Sequence, residues 1–289
     1  MDRGFLSNIE LRTTGGRITY LIAILCLSAV AVVAVFPFFF AFTSGLKNST
    51  EIFTSGLNLF PQLPLWENYP QAWTQFNMAN LFGNSFVIVG VGVFLRLVVS
   101  AAAAFSLSRL KPVGGRFIMA GFLLTLTTPF IAYFVPLYMT IANLPILNIS
   151  LLNSYWGLWL PYCVNAFSIF VLKTFFDRIP QELIDSARVD GASALQMLTH
   201  IILPLSRSIL IVLCVLAFVE LWKDFLLPFL VITDPARQPI TVRLYYVANR
   251  YGMNLQMAAS FMALLPPLLI AIILQRYMKI GLTVGAVKG

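Results

Sequence analysis

Charge is what this chain has least of. Asp, Glu, Lys and Arg make up 10% of its 289 residues, where a soluble globular domain carries about 25%. So little charge cannot cover a water-facing surface. With 59% apolar residues and a mean hydropathy of +0.86, the chain has lipid as its main solvent. The single histidine, His200, has no metal-ligand partner at useful spacing and reads as structural. The three cysteines, Cys26, Cys163 and Cys214, sit inside apolar runs and read as small buried hydrophobes rather than as a disulfide framework or metal site. There is no G-x-x-x-x-G-K-[ST] loop to cradle ATP phosphates and no G-x-S-x-G nucleophile elbow. The net charge of +8 lies mostly between apolar runs, where it orients a protein in a membrane, so nucleic-acid binding is not expected.

What is present is a series of long apolar runs. A hydrocarbon core of about 30 Å takes about 20 helical residues, and six segments reach that length: 18–44, 80–108, 116–140, 152–176, 204–232 and 257–280. The expectation is one all-α, multi-pass membrane domain over residues 1–289. The first run has Arg17 before it and Ala29-Val30-Ala31 within it, as a signal peptide would, but it continues through Phe42 and is kept as a helix. Pro37, Pro129, Pro136, Pro161, Pro228, Pro266 and Pro267 should bend these helices. Gly83, Gly90, Gly92 and Ala101 to Ala104 give the second a small-residue face for close packing.

Lys and Arg set the orientation. Arg3, Arg12, Arg17, Arg109, Lys111, Arg116, Lys173, Arg178, Arg188, Arg207, Arg276, Lys279 and Lys288 fall on one side, against Lys47, Arg237, Arg243 and Arg250 on the other. The side with more positive charge is cytoplasmic. Both termini are therefore expected in the cytoplasm, with outer loops at about 45–79, 141–151 and 233–256.

Between the fourth and fifth runs lies a polar island, 180–204, PQELIDSARVDGASALQMLTHIILP. Pro180 suits a helix start, and Glu182 and Asp185 complement the positive N-terminus of a helix over 181–189. Gly191 permits a turn that a side chain would resist, and Ser193 can cap a second short helix through Gln196 to His200. An amphipathic helix resting on lipid would have a similar outline, but it would be rich in Lys and Arg, whereas acids dominate here.

An acid followed by two small residues at Asp185, Ser186 and Ala187, then Asp190-Gly191, nine residues and Ile201-Ile202-Leu203-Pro204, resembles the "EAA" loop of ABC-importer permeases. It departs by Asp185 for the usual Glu and Ser186 for the usual first Ala. Gln275-Arg276-Tyr277 before Gly281-Leu282-Thr283, the ending Gly285 to Gly289, and Asn68-Tyr69 are similar to carbohydrate permeases of the maltose-permease "G" type. The resemblance implies an ABC type I importer fold with a cytoplasmic coupling helix, in a bacterial or archaeal inner membrane. It implies Glu182, Asp185, Ser186, Ala187, Asp190 and Gly191 as the residues docking an ATPase. The implied partners are a second permease subunit in a heterodimer, two ATPase copies and an extracytoplasmic substrate-binding protein. ATP and Mg would sit on the ATPase, this chain binding no cofactor and no metal and having no enzyme activity of its own. The cargo would be a sugar, an oligosaccharide or a sugar derivative.

Ionisable groups inside membrane spans suggest a pathway. Arg96 lies thirteen residues before Arg109 and Glu220 sixteen after Pro204, which is about 20 and 24 Å along their helices, so the two can sit at similar depth and pair. Lys223 and Asp224 complete a group that either lines a cavity or satisfies itself on one helix face. Trp159, Tyr162 and Asn165 could line the same cavity, Tyr155 and Trp156 reading better as interfacial anchors. In the third outer loop, Arg237, Arg243, Tyr246, Arg250 and Tyr251 are of types that anchor interfaces and could meet the binding protein; a solvated loop with membrane-anchoring tyrosines is the other reading. An ion-coupled carrier using Arg96, Glu220 and Asp224 would also fit the spans, but it leaves the acidic island unexplained. A membrane enzyme lacks a catalytic set.

Overall fold

The computed structural model describes residues 13–54 and 58–286, with side chains through Ile273. Arg3, Arg12, Lys288 and the rest of 287–289 lie outside the described residues, as do the side chains of Gln275, Arg276, Tyr277 and Lys279. In chain order the α-helices are α1 Thr14–Gly45, α2 Ser49–Thr54, α3 Asn68–Gln75, α4 Met78–Phe105, α5 Gly115–Thr127, α6 Phe130–Ala142, α7 Trp156–Cys163 and α8 Ala166–Asp177. They continue with α9 Gln181–Val189, α10 Ala194–Met197, α11 Leu203–Leu205, α12 Arg207–Lys223, α13 Leu226–Val231, α14 Ile240–Val247 and α15 Met253–Ala286. Ser106–Leu110 and Leu198–Ile202 are π-helical turns that prolong α4 and α10. Among the described residues three helices, α1, α4 with its π turn, and α15, are long and apolar enough to cross a membrane; the number is six if the bent pairs α5–α6, α7–α8 and α10–α12 each count as one span.

The helices form two compact units, the chain up to Gln75 with Asn249–Met262, and Phe76–Ala248 with the chain from Ala263. In the first, α1 is apolar all round and exposed over most of its length, as a lipid-facing helix should be. Its C-terminal carbonyls would be orphans. Buried Asn68 answers them, its amide donating to Gly45 O and Lys47 O at 2.9 Å each, and Asn254 donates in turn to Asn68 Oδ1 at 3.1 Å. Tyr69 Oη donates to Phe42 O at 2.9 Å, and burial pushes this phenol above its ordinary pKa, so it stays a donor. Gly45 is required here, since a Cβ would stand 2.9 Å from Tyr69 Oη and 3.0 Å from Ala258 Cα.

In the second unit α4 is central, packed by α7, α8 and α12. The close crossing is at Gly92, where a Cβ would meet Leu221 at 3.0 Å and Tyr162 at 3.4 Å; Gly83 and Gly90 have open space instead. Farther along, Ala101, Ala104 and Phe105 are buried with Leu172 and Phe176 of α8, Ile184 and Ala187 of α9 and Leu213 of α12.

The expected spans are more broken than continuous runs. The 116–140 segment is two helices bent by 107°, because Thr128, preceding Pro129, is held extended at φ −82°, ψ 121°. The 152–176 segment bends by 41° after Cys163, and Asn165 caps the new helix by accepting from Ser168 N at 2.9 Å. The 204–232 segment starts its long helix at Arg207 after an 82° bend, stops at Lys223 and resumes as α13. Asp224 makes that last break, its extended backbone ending α12 while its carboxylate accepts from the N–H groups of Leu226 and Leu227. The 233–256 segment is not an open loop, because Ile240, Val242 and Val247 bury one side of α14. Asn84 donates to Ala236 O at 2.8 Å and Gln238 O at 3.0 Å, and Ile240 N donates to Ser85 Oγ, tying the segment to the start of α4.

Candidate functional site

A cavity of about 1010 Å³ opens in the second unit where the breaks come together: Thr128 beside the α5–α6 bend, Val164 and Asn165 between α7 and α8, and Asp224 and Phe225 between α12 and α13 all reach its wall. Broken helices are tolerated at membrane depth where they line such a space. The structure brings Arg96 and Glu220 together on its wall. Arg96 Nη1 donates to Glu220 Oε2 at 2.8 Å, and its Nε donates to Tyr162 O at 2.9 Å, a carbonyl that the approaching end of α7 leaves open. The pair is uneven: the Arg96 side chain is 5% exposed and that of Glu220 55%. Tyr162 Oη donates to Asp224 Oδ2, so one tyrosine touches both acidic systems, by its carbonyl through Arg96 and by its hydroxyl directly.

Glu220, Lys223 and Asp224 do not satisfy one another. The two acids bind Arg96 and Tyr162, and among the described residues Lys223 has no ion-pair partner and is exposed on the cavity wall. Asn165 lines the cavity but spends its oxygen on Ser168. Trp159 does not line it. Its indole N–H donates to Ile88 O at 3.1 Å, because α7 packs this ring against α4. Thr125, Phe130 and Tyr133 line the cavity and were missed. Their signal was Pro129, whose bend directs both flanking helices to one space.

The polar island forms a helix, turn and helix. α9 runs from Gln181, and Gly191 turns the chain at φ +79°, a left-handed conformation that favours glycine. Ser193 and Gln196 then close a reciprocal capping box on α10, Gln196 N to Ser193 Oγ at 3.3 Å and Ser193 N to Gln196 Oε1 at 2.8 Å. Glu182, Asp185, Ser186, Asp190 and Gly191 lie on the open side. Ala187 does not: with Ile184, three residues earlier, it faces the core and is 8% exposed, so its small size serves packing. Leu183 and Val189 of α9 and Leu195 of α10 are exposed, so apolar side chains stand among the acids.

The residues singled out in the 233–256 segment divide between the units. Arg237, held to Asn153 O at 2.7 Å, Arg243 and Tyr246, stacked on Phe229 at 5.3 Å, belong to the second. Arg250 and Tyr251 belong to the first, where the Tyr251 hydroxyl donates to Gln75 O.

Comparisons with known proteins identify the family. Residues 96–280 match the family described as binding-protein-dependent transport system inner membrane component. The chain is 29% identical to the melibiose/raffinose/stachyose import permease protein MelC of Bacillus subtilis (strain 168), over 96% of this chain and 99% of that protein. It is 31% identical to the sn-glycerol-3-phosphate transport system permease protein UgpE of Yersinia pestis bv. Antiqua (strain Antiqua), over 86% and 90%. Its fold is shared with a chain of a bacterial ABC transporter involved in the import of the acidic polysaccharide alginate, at a TM-score of 0.79 and 19% identity, over 92% of this chain and 98% of that one. With the matched residues running from Arg96 on the cavity wall through the whole α9–α10 turn, the chain belongs to the inner membrane components of binding-protein-dependent transport systems.

Proposed function

We propose that this permease forms half of the pore of an ATP-driven sugar importer, with α9 and α10 docking on a separate ATPase that supplies the energy. The observation that carries the reading is the α9–Gly191–α10 turn: Ile184 and Ala187 of α9 are buried in the span core, while acids and exposed Leu183 and Val189 of α9 and Leu195 of α10 stand outside it. Buried Ile184 and Ala187 would pass a push on that face directly to α4 and α8. Both termini and this turn are cytoplasmic in the proposed orientation, ATP and Mg sit on the ATPase, and a second permease completes the pore. A loaded binding protein docks on the opposite side, with Arg237, Arg243 and Tyr246 in the second unit and Arg250 and Tyr251 in the first as the contacts we assign to it. The relative named for the import of melibiose, raffinose and stachyose supports a sugar or oligosaccharide cargo, for which a cavity of about 1010 Å³ has room.

A second reading of the cargo is a sugar derivative bearing an acid group. Lys223 favours it, since the acids of the cavity have partners and the exposed ammonium has none among the described residues.

The docking test is purification of the tagged protein from native membranes in mild detergent, with and without Gly191→Pro. Proline fixes φ near −65° and cannot adopt +79°. An ATPase that accompanies the wild type and is lost from the variant is the expected result. A stable subunit without any ATPase, and uptake that collapses with the ion gradient, would transfer the assignment to an ion-coupled carrier.

A further inference from the structure

One charged side chain, Arg109, bonds the end of the second span to the start of the docking turn. At the end of α4 the π turn Ser106–Leu110 adds a residue to the helical repeat and brings Ser108 and Arg109 onto the end of α8. The guanidinium of Arg109 donates through Nη2 to Phe176 O and to Ile179 O, the latter at 2.6 Å, and through Nη1 to Gln181 Oε1 at 2.8 Å. Its acceptors are therefore the last turn of α8, the connection to α9, and the first residue of α9. Carbonyls at a helix C-terminus carry partial negative charge and want donors, and a planar fork can hold several at once. Beside it Ser108 Oγ donates to Asp177 Oδ1 at 2.7 Å, and Lys173 holds the other oxygen of Asp177 at 2.6 Å. Below this polar layer the core of Ala104, Phe105, Phe176, Ile184 and Ala187 closes the same junction.

We infer that Arg109 is a positioning residue that makes α9 and α4 move as one body, so that displacement of the docking turn reaches Arg96 on the cavity wall. This rests on the docking reading above. The apolar core alone resists separation of the elements but is non-directional. Arg109 fixes the angle at which α9 leaves α8, because its three acceptors lie before, at and after that corner. A push on α9 is then delivered along α4, about 20 Å from Arg109 to Arg96 at 1.5 Å per residue, rather than absorbed by bending at residues 178–180.

The assembled importer, reconstituted in proteoliposomes with its binding protein, tests this with Arg109→Met, Arg109→Lys and Gln181→Ala. Transport per ATP hydrolysed is the deciding quantity, because a subunit that is merely less stable loses both activities in proportion. Arg109→Met should leave assembly and ATP hydrolysis within about twofold of wild type and lower transport per ATP by about tenfold. Arg109→Lys should recover part of that ratio, since an ammonium can hold one or two of the carbonyls but not the whole fork, and Gln181→Ala should lower it by about twofold. An unchanged ratio in Arg109→Met, or a proportional loss of transport and hydrolysis that lysine does not relieve, overturns the inference while leaving the docking reading intact. A wild-type protein that carries no ATPase overturns both.

Discussion

Arg96 and Glu220 form an ion pair in which the two partners pay unequal penalties for being left alone. Removing Glu220 strands a guanidinium that is 5% exposed, with only the Tyr162 carbonyl beside it, whereas removing Arg96 leaves a carboxylate already 55% exposed to the cavity. Breaking a buried pair at the desolvated partner costs about 3–5 kcal/mol, so Glu220→Met, which leaves no acceptor, should destabilise the detergent-solubilised protein by roughly 3 kcal/mol and Arg96→Met by clearly less. The double variant should be more stable than Glu220→Met alone. Thermal or denaturant unfolding of the three variants reads this directly, and equal losses in the singles would show that the pair is not uneven in the way the exposures indicate. The juxtaposition itself was legible from helix arithmetic, since each residue lies a similar distance from an anchor on the same side. Trp159 was not, because a tryptophan in an apolar run reads the same whether it faces a cavity or a neighbouring helix; its N–H found Ile88 O, and no pattern in the sequence carries that partner.

At the scale of elements, the breaks are the feature of interest. Asp224 ends α12, starts α13 and receives the Tyr162 hydroxyl, so one carboxylate holds two helix ends and the neighbouring α7 together. Losing a cap costs about 1 kcal/mol. Asp224→Ala loses the Tyr162 contact as well and should cost about 2 kcal/mol, with α13 the region whose amide hydrogens exchange faster. Asp224→Asn keeps an accepting oxygen and should retain most of the protection. If hydrogen exchange in α13 is the same in Asp224→Ala as in wild type, the break is maintained by packing of Leu227 and Val231 instead. The sequence showed where helices would be disturbed without showing how far. Pro129 gives a 107° corner while Pro136 and Pro37 lie inside continuous helices. A proline removes one donor in each case, and neighbouring helices decide whether the chain bends or passes through. The α9–α10 turn was legible almost residue by residue, because its signals are local: Pro180 before the first turn, Gly191 at positive φ, and the Ser193–Gln196 box. The two π turns have no comparable local signature.

For the whole molecule, the question is what the cavity admits. Its named charges are two acids and two bases, but they are not equivalent: Arg96 is bound to Glu220, Asp224 to Tyr162, and Lys223 alone lacks a partner among the described residues. An unpaired ammonium beside helix breaks gives an entering acid group a counter-charge in a space more poorly screened than bulk water, where each charge interaction counts for more. If the cargo bears a carboxylate or phosphate, Lys223→Gln should lower uptake of that cargo by about tenfold, the loss expected when an ion pair of about 1.4 kcal/mol is removed. Uptake of a neutral oligosaccharide of similar size should change by less than about twofold. If the cargo is neutral, the same substitution should leave uptake unchanged. The measurement is competition between a labelled neutral oligosaccharide and an acidic one in proteoliposomes holding the assembled transporter, wild type against Lys223→Gln. A discrimination ratio that does not move with the substitution would remove the acid-bearing reading and leave recognition to hydroxyl groups meeting Glu220, Thr125 and Tyr133 on the cavity wall.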